Sequence, residues 1–315
     1  MNFGFDIPTR GPLASPDDIR AIAKMGEALG FGTAYVNDHI VVPRNISSRY
    51  PYSEEGDWAG GRFGEAMDIL AMMSFLASIT SKVRLLSSVL VVPYRHPVLT
   101  AKMIATIDKL SNGRVTIGCG AGWMEEEFIA VGAPPFDERG NSTDEYLEIF
   151  REIWTKETPE YSGKYASFSD IVTEPQPQQS PLPILIGGES RPALRRAAKY
   201  GDGWYPIGYN PKFPLDTISR FKKRLDVLYG EAEKISRDPK TISLTYNSTW
   251  YAGPSNPVDI DGERRLFTGN DDEIRGDLAA LEELGVDSFM FRFVRKNMAE
   301  TKAAMTRFAE TYILS

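Results

Sequence analysis

The chain has 315 residues, 42% hydrophobic and 25% charged, the profile of an ordinary globular protein in water. Its 36 basic and 43 acidic residues leave a net charge of −7 with no basic run, which argues against a nucleic-acid partner. A single cysteine, Cys119, excludes an internal disulfide; two histidines without HExxH or CxxC argue against a dedicated metal site; and no apolar stretch reaches membrane-spanning length.

The N-terminus, MNFGFDIPTR, lacks the basic head and long apolar core of a signal peptide, so a cytoplasmic location is expected. Asn2 to Ile7 reads as a strand. Ser15-Pro16-Asp17-Asp18 opens a helix, with a side-chain cap, proline at the first helical position and acids against the dipole, and Gly30 ends it. Thr33 to Asn37 is a second strand, with Asp38 and His39 at its carboxyl end. Pro43 to Phe63 has little periodicity and reads as a long loop, of the kind that is functional or disordered. A helix follows from about Glu65 to Ile79.

Residues 84–123 read as strand, helix, strand. Leu85 to Val92 is apolar without alternation, as in a strand buried on both faces. Leu99, Met103, Ile104, Ile107 and Leu110 follow Pro97 at helical spacing, and Asn112-Gly113 stops that helix. Val115, Ile117 and Cys119 begin the next strand, and one crossover helix makes the two strands parallel. Tyr94, Arg95 and His96, and then Gly118 to Gly122, follow the carboxyl ends, where parallel α/β folds place ligands.

Met124 to Val131 and Ser142 to Trp154 read as helices. Tyr161 to Pro181, rich in Pro, Gln and Ser, reads as an insertion or lid. Ile184 to Ile186 is a strand running into Gly187-Gly188, and Ser190 caps a helix from Arg191 to Tyr200. Trp204-Tyr205 is a strand, a long helix lies within Leu215 to Ile235, and Ile242 to Ala252 is a strand. Asp271 to Leu284 is a helix, Val286 to Phe293 a strand and Met298 to Tyr312 a closing helix. EALGFGTAYV, DKLSNGRVTI, AKYGDGWYPI and EELGVDSFMF each end a helix and enter a strand within a few residues. Eight strand–helix pairs predict an α/β fold of the (β/α)8 TIM-barrel type, a single domain over 1–315 with loop insertions at about 43–63 and 157–182. An open doubly wound sheet is the alternative.

RLLSSVLVVPYRHPVLTAKMIATIDKLSNGRVTIGCGAGWMEEEF resembles the signature of the bacterial luciferase-like monooxygenase superfamily, in particular its deazaflavin-dependent branch. GFGTAYVNDHI, RGNSTDEYLEIFREIW and PLPILIGGESRPALRRAAKYGDGWYP extend the likeness over most of residues 1–205. The resemblance implies reduced FMN or coenzyme F420 at the carboxyl end of a barrel, and a homodimer. It implies a non-prolyl cis peptide at Ser88–Val89, with Ser87, Ser88 and Val89 behind the ring. Its active-site histidine matches His39, its preceding acid Asp38, and the cofactor phosphate is expected against Gly187, Gly188, Glu189 and Ser190.

Each assignment has a plainer alternative. Gly187 to Ser190 offers free N–H groups, a helix dipole and room for phosphate, provided Glu189 points away; otherwise it is a capped β–α turn. Gly118 to Gly122 lacks the spacing of a dinucleotide fingerprint, so Gly120 serves either backbone approach to the cofactor or tight packing. No glutamate stands in that loop, which argues against the sugar-phosphate dehydrogenase chemistry of some superfamily members. His39 could donate to a flavin oxygen or shuttle a proton, or simply hold the loop after strand 2. His96 reads as structural and Cys119 as core. Tyr50, Tyr52, Trp58, Phe63 and Trp123 could line an apolar pocket or belong to the core.

The leading expectation is a monooxygenase using reduced FMN and oxygen on a small organic substrate, supplied by a separate flavin reductase, with no nucleic-acid or membrane partner. F420-dependent hydride transfer is the alternative. A non-catalytic flavin-binding barrel is a second. A phosphate-binding lyase or isomerase would need a base or lysine at a strand end, and no strand-end lysine is evident.

Overall fold

A computed structural model describes residues 1–60, 65–248 and 253–314. Eight strands form a closed parallel barrel: β1 (Asn2–Asp6), β2 (Thr33–Val36), β3 (Arg84–Val91), β4 (Val115–Gly120), β5 (Ile184–Gly187), β6 (Gly203–Tyr205), β7 (Ser243–Asn247) and β8 (Val286–Phe291). Going round the ring, each strand neighbours the strand before and after it in sequence, and β1 meets β8. Closure overturns the open-sheet alternative, which would require a reversal of strand order.

Nine helices among the described residues connect or follow these strands: α1 (Pro16–Ala28), α2 (Ile69–Ile79), α3 (Pro97–Leu110), α4 (Glu125–Val131), α5 (Arg139–Thr155), α6 (Arg191–Tyr200), α7 (Ile218–Glu233), α8 (Asp271–Glu283) and α9 (Met298–Tyr312). None of the described helices is long and apolar enough to cross a membrane. Local chemistry sets most boundaries. Ser15 accepts from Asp18 N at the start of α1, and Asn270 and Glu273 form a capping box on α8. Asn112 and Gly113 end α3 at φ of 63° and 76°, as the Asn-Gly pair predicts. Two helices start elsewhere than expected. α2 begins at Ile69 because Asp68 caps it, accepting from Leu70 N and Ala71 N. α5 begins at Arg139, a turn before the expected Ser142. The predicted strand from Ile242 ends at Asn247, and its last residues, 249–252, lie outside the described residues.

The chain divides into two compact units. One comprises residues 1–8, 12–35 and 186–315. Its core is aromatic: Phe308 of α9 packs within 5.1–5.2 Å, centroid to centroid, of Phe3, Phe291 and Phe293. The other comprises residues 9–11 and 36–185. There Arg114 gathers the carbonyls of Ala77, Thr80, Val83 and Ser111, tying the end of α2 and the start of β3 to the end of α3.

The 161–181 segment is fastened against α5 and against the starts of β3 and β4. A short hairpin (161–162 with 167–168) lies on α5, its backbone N–H groups at Lys164, Tyr165 and Ala166 all donating to Glu145. Further along, Gln179 donates to Asp108 and to Val115 O and accepts from Arg84. Arg84 and Val115 are the first residues of β3 and β4, so this stretch is fastened at the amino ends of those strands, opposite Val91 and Gly120. The buried Asp108 carboxylate and the Val115 carbonyl capture the Gln179 amide.

Candidate active site

The carboxyl ends of β2 and β3 carry a dense polar cluster within the 36–185 unit. Asp38 leaves β2 and turns back, its Oδ2 accepting from Val91 N at 2.9 Å and from Arg95 at 2.8 Å, its Oδ1 from the second Arg95 nitrogen at 2.8 Å. Arg95 also reaches the α2 cap, Asp68, at 2.6 Å. Burial pushes the Asp38 carboxyl up, opposed by Arg95 and the Val91 N–H. Both oxygens of Asp38 are engaged with protein, so the residue matched to a cofactor-side acid serves to hold the end of β3 beside the end of β2.

His39 follows, and its Nδ1 lies 2.8 Å from Glu127 Oε2. Glu127 comes from the first turn of α4, and its side chain is fully buried. Oε2 also accepts from the Tyr94 hydroxyl at 2.8 Å, while Oε1 accepts from Ile40 N at 2.7 Å and Val41 N at 3.2 Å. Burial alone would raise the Glu127 carboxyl; these donors outweigh it and hold the group below the usual range. Burial and the Glu127 charge push the Tyr94 phenol up, so it stays protonated and donates.

The next acid, Glu126, accepts from Ser47 N, Ser48 N and Ser48 Oγ, and Ser48 Oγ in turn accepts from Glu125 N. The first turn of α4 thereby fastens the 40–48 backbone, the start of the long loop. That loop brings aromatic rings to His39. Trp58 lies 4.3 Å from the imidazole, and Trp123 stands edge-on at 6.5 Å from it and 5.8 Å from Trp58. Tyr50 packs on Trp123 at 5.1 Å and on Tyr52 at 5.6 Å, and Arg10 sits 4.9 Å from the Trp58 ring. Four of the five aromatic residues singled out from sequence are therefore together; Phe63 lies outside the described residues.

β3 changes character at Ser88 and Val89. Ser87 and Leu90 pair with Ile117 and Cys119 of β4, so two residues face one and the ladder slips. The Ser88–Val89 peptide is cis. These two are half-exposed while Ser87 and Leu90 on either side are buried; Ser87 donates to Gly118 O at 2.9 Å. A Cβ on Gly120 would fall 2.6 Å from Val89 Cγ2, and one on Gly122 2.6 Å from the Phe128 ring, so this glycine loop makes room for β3 and α4. Of its two readings, the packing one accounts for these contacts. Cys119 is buried, and His96 is exposed at the position before α3 with no side-chain cap bond.

The 186–315 portion of the other unit holds the turn from Gly187 to Ser190. Ser190 Oγ accepts from Ala193 N at 3.4 Å, capping α6. Gly188 stands at φ +98°, where L side chains are strained, and a Cβ there would meet Ala193 Cβ at 3.2 Å. The Glu189 carboxylate turns into the protein, accepting from Ile207 N at 2.7 Å and Asn210 Nδ2 at 2.6 Å. Burial pushes it up to about 7, with those two donors opposing the rise. A helix N-terminus, a backbone position that only glycine adopts easily, and an acid turned away are features that fit a phosphate here.

Glu127 and Tyr94 are the site residues that the sequence did not single out as partners of His39. The run Glu125-Glu126-Glu127 looks like ordinary acids against a helix dipole. Only the fold reveals that the second and third reach back across 78 and 88 residues.

A family model described as luciferase-like monooxygenase matches residues 1–256. The chain is similar to the FMNH(2)-dependent dimethylsulfone monooxygenase of Pseudomonas putida, 35% identical over 160 residues, covering 50% of this chain and 42% of that protein. It is similar to the F420-dependent glucose-6-phosphate dehydrogenase of Amycolatopsis mediterranei, 31% identical over 192 residues, covering 60% and 53%. The solved structure of the monooxygenase RslO1 from Streptomyces bottropensis superimposes with a TM-score of 0.75 over 100% of this chain and 99% of that one, at 19% identity, a likeness of fold.

Proposed function

The chain belongs to the luciferase-like monooxygenases, a family of flavin- or F420-dependent oxidoreductases, and from that premise we propose that it uses reduced FMN and molecular oxygen to oxidise a small organic substrate. The observation that carries this reading is the grouping at the ends of β2 and β3: a carboxylate-paired His39, an aromatic wall, and the partly exposed Ser88–Val89 step just before Val91, whose N–H Asp38 holds. Aromatic rings exclude water from a reactive centre, and the imidazole is able to donate or accept a proton beside it. Reduced FMN supplies the electrons and activates oxygen when bound; the chain's residues bind, orient and shield. Ser87, Ser88, Val89 and Gly120 are proposed to back the ring, and Gly187, Gly188, Glu189 and Ser190 to hold the phosphate. The 35% identity to an FMNH(2)-dependent enzyme supports the choice of cofactor. A separate reductase supplies the reduced flavin, and the protein works as a cytoplasmic homodimer of single barrels.

The F420-dependent relative supports a second reading, direct hydride transfer without oxygen. The loop at 120–122 reads Gly-Ala-Gly and carries no carboxylate, which weighs against the sugar-phosphate version. Titration with FMN and with F420, followed by candidate substrates with each reduced cofactor with and without oxygen, decides between them. Oxygen-dependent product with FMN alone supports the proposal. Oxygen-independent turnover with F420 replaces it with the second reading, and tight flavin binding with no turnover of any substrate in either atmosphere supports a binding protein.

A further inference from the structure

We propose that Glu127 is the positioning residue of this site, fixing His39 with its proton on Nδ1 so that Nε2 is the atom that exchanges a proton with a bound reactant. This rests on the reading of His39 as the site's proton-transfer group. It follows from counting hydrogen bonds around one carboxylate. Ile40 N and Val41 N can only donate, and they occupy Oε1. Oε2 faces the Tyr94 hydroxyl and His39 Nδ1, both at 2.8 Å. A carboxylate buried this completely is stable as an anion when each approaching group brings a hydrogen, so Nδ1 carries one. With Nδ1–H fixed, neutral His39 has its lone pair on Nε2; after taking a proton there it becomes an imidazolium still paired with Glu127. The step moves one proton from a bound hydroxyl or N–H to Nε2, or back, and no electrons change hands. Trp58 at 4.3 Å and Trp123 at 6.5 Å bound the ring and bring no charge of their own. Asp38, the adjacent acid, is taken up by Arg95 and Val91 N, which leaves Glu127 as the anion paired with His39 and Tyr94 as the group that tempers it.

The two oxygens separate two roles. Oε1 fastens the loop backbone, and Oε2 serves the imidazole. Glu127→Gln can keep the first, presenting its carbonyl oxygen to Ile40 and Val41, while its amide then donates toward His39 Nδ1 and reverses the proton on the ring. Tyr94→Phe leaves the loop contacts intact and removes one donor from Oε2, which makes the carboxylate more basic.

The chain has two histidines, so nitrogen NMR of histidine-labelled protein reads the ring directly, with His96→Gln identifying the second signal. In the cofactor-free protein, neutral His39 is expected as the Nδ1–H form. Glu127→Gln is expected to convert it to the Nε2–H form and weaken its proton affinity at least about tenfold, the effect of losing an adjacent anion. Tyr94→Phe is expected to strengthen that affinity about threefold, by removing one stabilising hydrogen bond from the anion. An Nε2–H form in the unsubstituted protein, or a titration within about twofold of it in both variants, overturns the proposal. If Glu127→Gln does not fold, the direction of the Tyr94→Phe shift decides. With reduced cofactor and substrate present, the rate–pH profile of Tyr94→Phe should move with the titration. A profile that stays in place while the titration moves refutes a proton-transfer role for His39 and leaves its hold by Glu127 standing.

Discussion

Glu189 offers a sharp test of the site's electrostatics. Its side chain is 2% exposed, and its two visible partners are neutral donors, Ile207 N and Asn210 Nδ2. Burial raises its carboxyl from 4.5 to about 7. A carboxyl that holds its proton more tightly in the fold than in the unfolded chain stabilises the fold fully below pH 4.5. That contribution drains away as pH rises from 4.5 through about 7, and is gone above it. The difference between the two states is worth about 3 kcal/mol.

Glu189→Gln removes the titration and carries a fixed penalty. The new amide can satisfy Ile207 N through its oxygen, but its nitrogen then meets Asn210 Nδ2, donor against donor. Asn210 cannot flip without cost, because its Oδ1 accepts from Lys212 N and Phe213 N. The lost bond costs about 1–2 kcal/mol at every pH. The two stability curves should therefore cross. Below pH 5 the glutamine variant is the weaker by about 1–2 kcal/mol, and at pH 8 it is the stronger by about 1–2 kcal/mol. Urea midpoints of both proteins at half-unit intervals from pH 4 to 8 measure this, and subtraction cancels the other carboxyl groups. A difference that stays constant across the window, or that favours the unsubstituted chain more at high pH, refutes the reasoning.

Other perturbations follow from the same geometry. Arg95→Leu strands Asp38 in a buried position with only the Val91 N–H left to it; urea unfolding at pH 7 should show a loss of about 3–5 kcal/mol, and a loss under about 1 kcal/mol would show the cluster to be dispensable. Ser48→Ala removes the hydroxyl bonds to Glu126 and Glu125 N and leaves the two backbone bonds to Glu126, so limited proteolysis within 43–60 should speed up measurably while global stability changes by less than about 1 kcal/mol. Gly188→Ala forces a side chain into φ +98°; it should cost about 1–2 kcal/mol and erode any preference for FMN over riboflavin, and an unchanged preference would remove the phosphate from this turn.

The barrel was legible because its signals are local. Helix caps and stops, such as Ser15, Ser190 and Asn112-Gly113, act on their own backbone, and the apolar run of β3 needs no partner to be recognised. Where a boundary moved, a competing cap explains the shift at α2: Asp68 takes the first free N–H groups, so Glu65 to Met67 stay outside the helix. Where the 161–181 stretch fastens was not legible, for the opposite reason. Its composition is that of a loop at either end of a barrel, and only the pairing of Gln179 with Arg84 and Asp108, across 95 and 71 residues, says which end.

The site divides along the same line. His39 could be proposed from its place after a strand, and Asp38 beside it from its match to the acid that precedes the family's histidine. Side-chain partners give each its surroundings. A bidentate guanidinium consumes Asp38, and the acid that complements His39 arrives from the turn of a helix whose three glutamates are indistinguishable in sequence. Consecutive helix residues point about 100° apart, so Glu125, Glu126 and Glu127 must meet different surroundings. Glu125 contributes its backbone N–H to Ser48, Glu126 takes the loop, and Glu127 faces inward to the imidazole. The chemistry of each is thus fixed by α4's rotation about its axis, which depends on how Phe128 packs against Tyr94 at 5.0 Å and Phe136 at 5.2 Å. A substitution that turned this helix by one residue would swap a solvent-side acid for the buried one while leaving the composition of the site unchanged.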